Sequence, residues 1–313
     1  MSKERPRNLA ASVRQRLMNL ARARNEDFQL VLTRYALERL LYRLSESEHR
    51  DVFVLKGAML FQLWGDHPHR PTRDLDLLGT GDNSVPRWEQ LFRDVCELVV
   101  EADGLVFNAA SVQGDTIKED QEYEGSRINL DCRLENARIP IQIDIGFGDI
   151  VTPAATKVRF PVLLDFPAPV LPAYSRESVV AEKFQAMVML GIANSRMKDF
   201  FDLWALACQF EFDGPLLSRA IQATFARRRT AVPATVPVAL SSEFAQDRAK
   251  QTQWRAFVGK GRLDTGGARL EEVVDALRSF LMPLAQAVAG GELLDMMWPV
   301  AGPWRSREPD VAT

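Results

Sequence analysis

The stretch from Leu55 to Leu78, L-K-G-A-M-L-F-Q-L-W-G-D-H-P-H-R-P-T-R-D-L-D-L-L, constrains the fold more than any other part of the chain. Val52 to Leu55 is an apolar run of strand type, Lys56-Gly57 breaks it, and Ala58 to Trp64 reads as a helix. After a polar turn, Asp74-Leu75-Asp76-Leu77-Leu78 reads as a second strand. Alternation along a strand puts Asp74 and Asp76 on one face, with Leu75 and Leu77 on the other. Two carboxylates this close repel each other, and they are most easily tolerated with a cation between them.

A second β signal lies further on. Ile128, Leu130, Cys132 and Leu134 alternate with polar residues, Glu135 to Arg138 make a turn, and Ile139, Ile141, Ile143 and Ile145 alternate again. That pattern is a hairpin with one face buried, and Pro140 predicts incomplete pairing near the start of its second strand. Gln142 and Asp144 share the face opposite the isoleucines. Two readings of Asp144 stand here: a solvated outer face, or the third ligand of a divalent-metal site with Asp74 and Asp76. Three hard oxygen ligands suit Mg²⁺ or Mn²⁺, which also binds a nucleotide's phosphates.

The chain around these strands is mostly helical. Residues 8–24 and 28–45 read as helices, the second with an apolar stripe at Leu30, Tyr35, Leu37, Leu41 and Leu44. Residues 88–100 read as an amphipathic helix with Leu91, Val95, Leu98 and Val99 inward, and 109–126 as a mixture of strand and loop. The proline-punctuated segment 153–172 reads as an extended connection and a soft domain boundary. Beyond it, helices are predicted at 176–190, 196–210, 214–228, 243–258 and 269–288, with a flexible tail after Pro299.

In the first of these, S-R-E-S-V-V-A-E-K-F-Q-A-M-V-M-L-G, Ser175 is a good N-cap and Gly191 a good stop. Lys183 falls on the same stripe as Val179, Ala186, Met187 and Leu190. Its ammonium either snorkels to water or points into a cleft and binds phosphates. In S-R-M-K-D-F-F-D-L-W, Arg196, Lys198, Asp199 and Asp202 lie opposite a heavily apolar side, and Lys198 and Asp202 have the spacing of a helical ion pair.

Composition narrows the class. The chain has 313 residues, enough for one large domain or two modest ones. Its three cysteines are scattered, without metal-ligand spacing, which predicts a reduced, cytoplasmic setting and no zinc site. The first residues are charged rather than apolar, and no apolar stretch is long enough to span a bilayer, which predicts neither secretion nor membrane insertion. Net charge is −3, but residues 1–50 carry eleven Lys/Arg against six Asp/Glu, and 216–269 ten against three, while 94–150 carry four against thirteen. Basic flanks around an acidic middle suit a chain that holds a cation centrally and meets a polyanion at its edges; an uneven solvated surface is the plainer reading. Arg227, Arg228, Arg229, Arg255 and Lys260, interleaved with Phe225, Trp254 and Phe257, are the RNA-binding candidates, unless the aromatics belong to the core. His67 and His69, in a Pro-separated pair, read as loop surface, and no Walker A or G-x-S-x-G pattern is present.

The order glycine, helix, Asp-x-Asp resembles the core motif of the DNA polymerase β-like nucleotidyltransferase superfamily. L-K-G-A…R-P-T-R-D-L-D-L-L, then A-E-K-F at 181–184 and R-x-K-D-F-F-D-L at 196–203, resemble in this order the AbiEii/AbiGii family of type IV toxin–antitoxin and abortive-infection systems. The resemblance implies an α/β (α+β) fold, a polymerase β-like sheet with flanking helices followed by a helical C-terminal domain. The implied division is N-terminal helices over 1–50, a nucleotidyltransferase domain over 51–170, a helical domain over 171–300 completing the nucleotide cleft, and the tail 301–313. It implies Asp74, Asp76 and Asp144 as catalytic metal ligands, with Asp144 at the superfamily's third acidic position. Lys183 is implied as a phosphate contact, and Asp199 as a catalytic residue that positions or deprotonates the acceptor hydroxyl. Lys56, Gly57, Ala58, Thr72, Arg196 and Lys198 join Lys183 as nucleotide-binding candidates.

Two positions depart from the family pattern. Ala58 stands where many relatives have Ser or Gly, so phosphate contact there falls to backbone N–H groups. Thr72 stands where many have Ser. The implied activity is transfer of a nucleoside monophosphate from an NTP to an RNA acceptor, with tRNA the expected target, Mg²⁺ or Mn²⁺ as cofactor and a cognate antitoxin encoded alongside. The alternatives are an acceptor on a protein side chain or small molecule, and an inactive nucleotide- or RNA-binding module.

Overall fold

The alternating segments pair as their apolar faces require. A computed structural model describes residues 8–65, 70–118 and 124–307. The chain divides into two units, Met1–Gly148 with Thr156–Tyr174 and Asp149–Ala155 with Ser175–Thr313.

The first unit opens with α1 (Leu9–Arg24) and α2 (Phe28–Glu46). Each begins at a side-chain cap: Asn8 accepts from the N–H of Ala11 and Asp27 from that of Leu30. Then come β1 (Phe53–Lys56), a 3₁₀ turn over Gly57–Leu60, α3 (Phe61–Trp64), β2 (Asp74–Gly79) and α4 (Val85–Glu97). Strands β3 (Leu105–Lys118), β4 (Glu124–Leu134), β5 (Ala137–Phe147), β6 (Thr156–Arg159) and β7 (Val170–Ala173) complete it. They form one seven-stranded sheet in the order β3-β4-β5-β2-β1-β7-β6. β2 runs parallel to β5 and β1 parallel to β7, while the other pairs are antiparallel. The four isoleucines of β5 are buried, as the alternation predicts. Pro140 sits opposite Asp131 in unbroken pairing with β4 and two residues before Gln142, where pairing with β2 begins, so the incomplete pairing is confined to the β2 side.

Several sequence expectations are corrected. Helix α4 ends at Glu97, so Leu98 leaves it and Val99 is 94% exposed rather than inward. In the polar segment 109–126, read as a mixture of strand and loop, the described residues belong to β3 and β4, with an irregularity in register between Asn108 and Gln113, and 119–123 lie outside the described residues. The connection 153–172 contains β6 and β7, because an exposed strand edge beside β1 is satisfied by adding strands. His67 and His69 lie outside the described residues.

The second unit contains α5 (Arg176–Leu190), α6 (Met197–Gln209), β8 (Phe212–Asp213), α7 (Gly214–Arg227), α8 (Ser242–Gln246), α9 (Arg248–Gly261), α10 (Leu270–Ala289), β9 (Met296–Trp298) and β10 (Arg305–Ser306). Ser175 caps α5 and Gly191, at φ +48°, ends it, both as predicted. The single helix expected over 243–258 is two, since Asp247 accepts from the N–H of Lys250 and starts a new helix. The tail expected after Pro299 is ordered over 301–307. Trp304 stacks on Phe280 with a 5.9 Å centroid separation and donates to its carbonyl, and β10 pairs with β9. Among the described residues, no helix is long and apolar enough to cross a membrane.

A buried ionic group ties α2 to the sheet unit. Arg43 clasps both oxygens of Asp103 at 2.6 and 3.1 Å, and Arg39 adds a bond of 3.1 Å from Nε. Beside them Glu38, 2% exposed, accepts from the N–H of Leu163 at 2.7 Å. Burial pushes its carboxyl up to about 7. The folded chain thus holds a proton that an ordinary carboxyl has released, so this group's contribution is full at acid pH and is lost as pH rises through about 7. Urea midpoints should fall between pH 5 and pH 8, and Glu38→Gln should flatten that slope.

Candidate active site

Leu75 and Leu77 are fully buried, and their anchoring turns Asp74 and Asp76 to the other face of β2. The neighbouring strands then line up other polar side chains with them. β5 sets Gln142 opposite Asp74 and Asp144 opposite Asp76. β4 sets Arg127 opposite Asp144, and β1 sets Lys56 opposite Asp76. One row across four adjacent strands therefore reads Lys56, Asp76, Asp144, Arg127, with strands about 4.8 Å apart. Two carboxylates lie side by side, bracketed in register by cations.

Arg127 holds Asp144 in a fork, Nε to Oδ1 and Nη2 to Oδ2, both at 2.7 Å. The amide of Gln142 adds contacts of 3.3 Å to each oxygen. The hydrogen bonds to Asp144 raise the pKa of Arg127 further, and the charges of Asp144, Asp74 and Asp76 act the same way. Gly57 is required here on two counts. Its φ is +76°, and a Cβ would collide with Oδ2 of Asp76. Ala58 is buried, so any contact to ligand from that position comes from its backbone. Thr72 Oγ1 donates to the carbonyl of Asp74 at 3.3 Å, bracing the start of β2. Beside Asp74 opens a cleft of about 480 Å³ lined by Arg73, Gln113, Asn129, Asp131, Arg138 and Gln142 among others.

Among the described residues, no three His, Cys, Asp or Glu side chains are grouped so that they could hold a metal ion as they stand. The donor chemistry still suits a hard divalent cation. Asp74 and Asp76 present carboxylate oxygens from one strand face, and Asp144 is in register with Asp76. The cysteines offer nothing comparable: burial pushes the Cys96 thiol up to about 12 and raises Cys132 and Cys208 as well.

The predicted residues of the second unit form a separate ionic group. Lys183 of α5 reaches Asp199 at 2.5 Å and Asp202 at 2.9 Å, and Arg196 reaches Asp199 at 2.7 Å. Both aspartates are fully buried. Asp202 thus meets Lys183 rather than Lys198, which is exposed, and the ammonium of Lys183 neither snorkels nor lacks a counter-charge.

The chain's motifs thus fall on two groups, the carboxylate row and this ionic cluster, and the family comparison covers both. The model of the nucleotidyl transferase AbiEii toxin family, type IV toxin–antitoxin system, matches residues 39–276. The chain belongs to this family. As an AbiEii-family member it is a nucleotidyltransferase of the toxin class of type IV toxin–antitoxin systems. Two crystal structures from Helicobacter pylori are similar to it. JHP933 is 15% identical with a TM-score of 0.47, covering 85% of this chain and 94% of that one. A candidate nucleotidyltransferase is 16% identical with a TM-score of 0.46, covering 85% and 96%. A search of curated proteins found no match.

Of the RNA-binding candidates in this AbiEii-family chain, Arg227, Arg229, Arg255 and Lys260 are exposed. Arg228 is not a surface cation. Its guanidinium turns inward to Asp149 at 2.9 Å and Gln185 at 2.9 Å, tying the 149–155 segment to α5 and α7. Phe225 and Trp254 are core residues, and Phe257 packs edge-on against Phe201, so the aromatics form no surface platform. Sequence reasoning missed Arg127 and the role of Asp202. Arg127 was findable by counting back from the hairpin turn to the residue opposite Asp144. Asp202 was not, since its partner is on another helix.

Gly57→Ala should lower the melting temperature by several degrees, from about 1–3 kcal/mol of strain, and reduce nucleotidyl transfer at least tenfold by displacing Asp76. Lys183→Met should cost about 3–5 kcal/mol by removing the cation that two buried carboxylates share. Adding Asp202→Asn should recover part of that loss in a urea melt.

Proposed function

We propose that this AbiEii-family chain transfers a nucleoside monophosphate from an NTP to a hydroxyl at the 3′ end of tRNA, releasing pyrophosphate and blocking translation. The observation that carries the chemistry is the carboxylate row, Asp74 and Asp76 on β2 with Asp144 in register beside Asp76. Asp74 and Asp76 would hold a divalent ion, with Asp144 as third ligand. Such an ion, when bound, neutralises charge on the α-phosphate and leaving group and lowers the pKa of the attacking hydroxyl.

The chain's own side chains orient the reactants. Gly57 lets the Asp76 carboxylate lie against the backbone where β1 ends, and Lys56 adds positive charge in the same row. Lys183 and Arg196 bind the triphosphate. Asp199, buried between those two cations, positions them; at that depth it does not act as a solvent-facing base. The exposed Arg227, Arg229, Arg255 and Lys260 support an RNA acceptor through phosphate contacts. Membership of a type IV toxin–antitoxin family supports a cognate antitoxin encoded alongside, without requiring that the two proteins touch.

The test is incubation of the purified chain with each labelled NTP, Mg²⁺ and either tRNA or total cell protein. Label should appear on tRNA, and Asp74→Ala should abolish it while the melting temperature stays within a few degrees of the parent. Label on protein alone would replace the acceptor. Transfer that survives Asp74→Ala would remove the carboxylate row from the mechanism.

A further inference from the structure

The third carboxylate of the row is already engaged. Both oxygens of Asp144 are bonded by Arg127 at 2.7 Å, so a cation drawing on Asp144 meets a guanidinium in the same place. The fork is the strongest geometry an arginine makes with a carboxylate. It is also built into the sheet, because β4 and β5 set the two residues directly opposite each other. The partners differ in exposure. The Asp144 side chain is 16% exposed and that of Arg127 36%, so the carboxylate stays in place while the guanidinium can swing into water.

Electrostatics explains what the arrangement achieves. Asp76 and Asp144 are neighbours across parallel strands, and without a cation their repulsion would work against the pairing that creates the site. Lys56 supplies positive charge on the Asp76 flank and Arg127 on the Asp144 flank. Arg127 does so with a group that adds no coordination chemistry and departs when a better counter-charge arrives.

We propose that Arg127 is a positioning residue that competes with the divalent cation for Asp144. It holds the third carboxylate closed in the cation-free chain and releases it on cation binding, so it sets the cation concentration at which the site assembles. The proposal rests on the reading of Asp74, Asp76 and Asp144 as the cation site, and it assigns the row two states, one with guanidinium on Asp144 and one with metal.

The experiment is Mn²⁺ titration of the purified full chain, stripped with EDTA and dialysed, with free Mn²⁺ followed by electron paramagnetic resonance. Arg127→Gln should bind Mn²⁺ about three- to tenfold more tightly than the parent, because a competitor worth a charged hydrogen-bonded pair has gone. Asp144→Asn should bind more weakly, and in that background Arg127→Gln should bring no gain. Arg127→Lys, which keeps the charge but loses the fork, should fall between parent and Arg127→Gln. A second reading comes from thermal melting. Arg127→Gln should melt lower than the parent in EDTA and gain more from added Mn²⁺, whereas a merely structural arginine would lower both curves equally.

Unchanged or weaker Mn²⁺ binding by Arg127→Gln overturns the competition. A gain that persists in the Asp144→Asn background is a general charge effect and overturns it too. If Asp74→Asn binds Mn²⁺ as well as the parent, the cation-site reading itself fails, and the proposal falls with it for that separate reason.

Discussion

The structure of the first unit depends on placing two like charges side by side. Parallel pairing of β2 with β5 brings Asp76 next to Asp144, an arrangement that opposes folding unless positive charge is supplied. The sheet supplies it in register, with Lys56 on one flank and Arg127 on the other. The hydrophobic side of the same strands provides the driving force. Leu75, Leu77, Ile143 and Ile145 are all fully buried on the face opposite the charges. Apolar burial on one face thus holds an electrostatically unfavourable array on the other.

The same logic recurs in the second unit by different means. There two aspartates are taken entirely out of solvent and balanced by Lys183 and Arg196, so the ionic group is paired before any ligand arrives. Replacing either cation leaves buried charge less fully balanced. In the first unit the acidic row stays partly open to water, and its third member is held by a more exposed guanidinium. Arg228 shows the converse for a basic residue. A run of three arginines in sequence puts two on the surface and folds the third inward to Asp149.

Much of the site was legible in the sequence because it rests on local rules. Strand alternation placed Asp74 with Asp76 and Gln142 with Asp144, and capping signals located both ends of α5. The glycine between β1 and the following turn was legible as a break, though not as a residue that must lack a Cβ to clear Asp76. Expectations failed where the deciding contact was remote. The segment between Pro153 and Pro172 has a composition that reads as a linker, yet it supplies β6 and most of β7, because β7 pairs with β1, more than a hundred residues earlier in the chain, and β6 then pairs with β7. The terminal segment looked free for the same reason, because the stacking of Trp304 on Phe280 cannot be read from either residue's neighbours.

By itself, then, the sequence determined the chemistry on offer and the family: an Asp-x-Asp strand, a later strand carrying a third carboxylate, and two basic–acidic helical motifs matching AbiEii. These follow from side-chain type and from periods of 2 and about 3.6 residues, which act over a few neighbours. Only the tertiary structure decided how those charges are balanced. Strand order and register set Arg127 on Asp144, and helix packing set Lys183 between Asp199 and Asp202. Coulomb energies depend on distances of a few ångströms between residues far apart in sequence, and no local pattern encodes such distances.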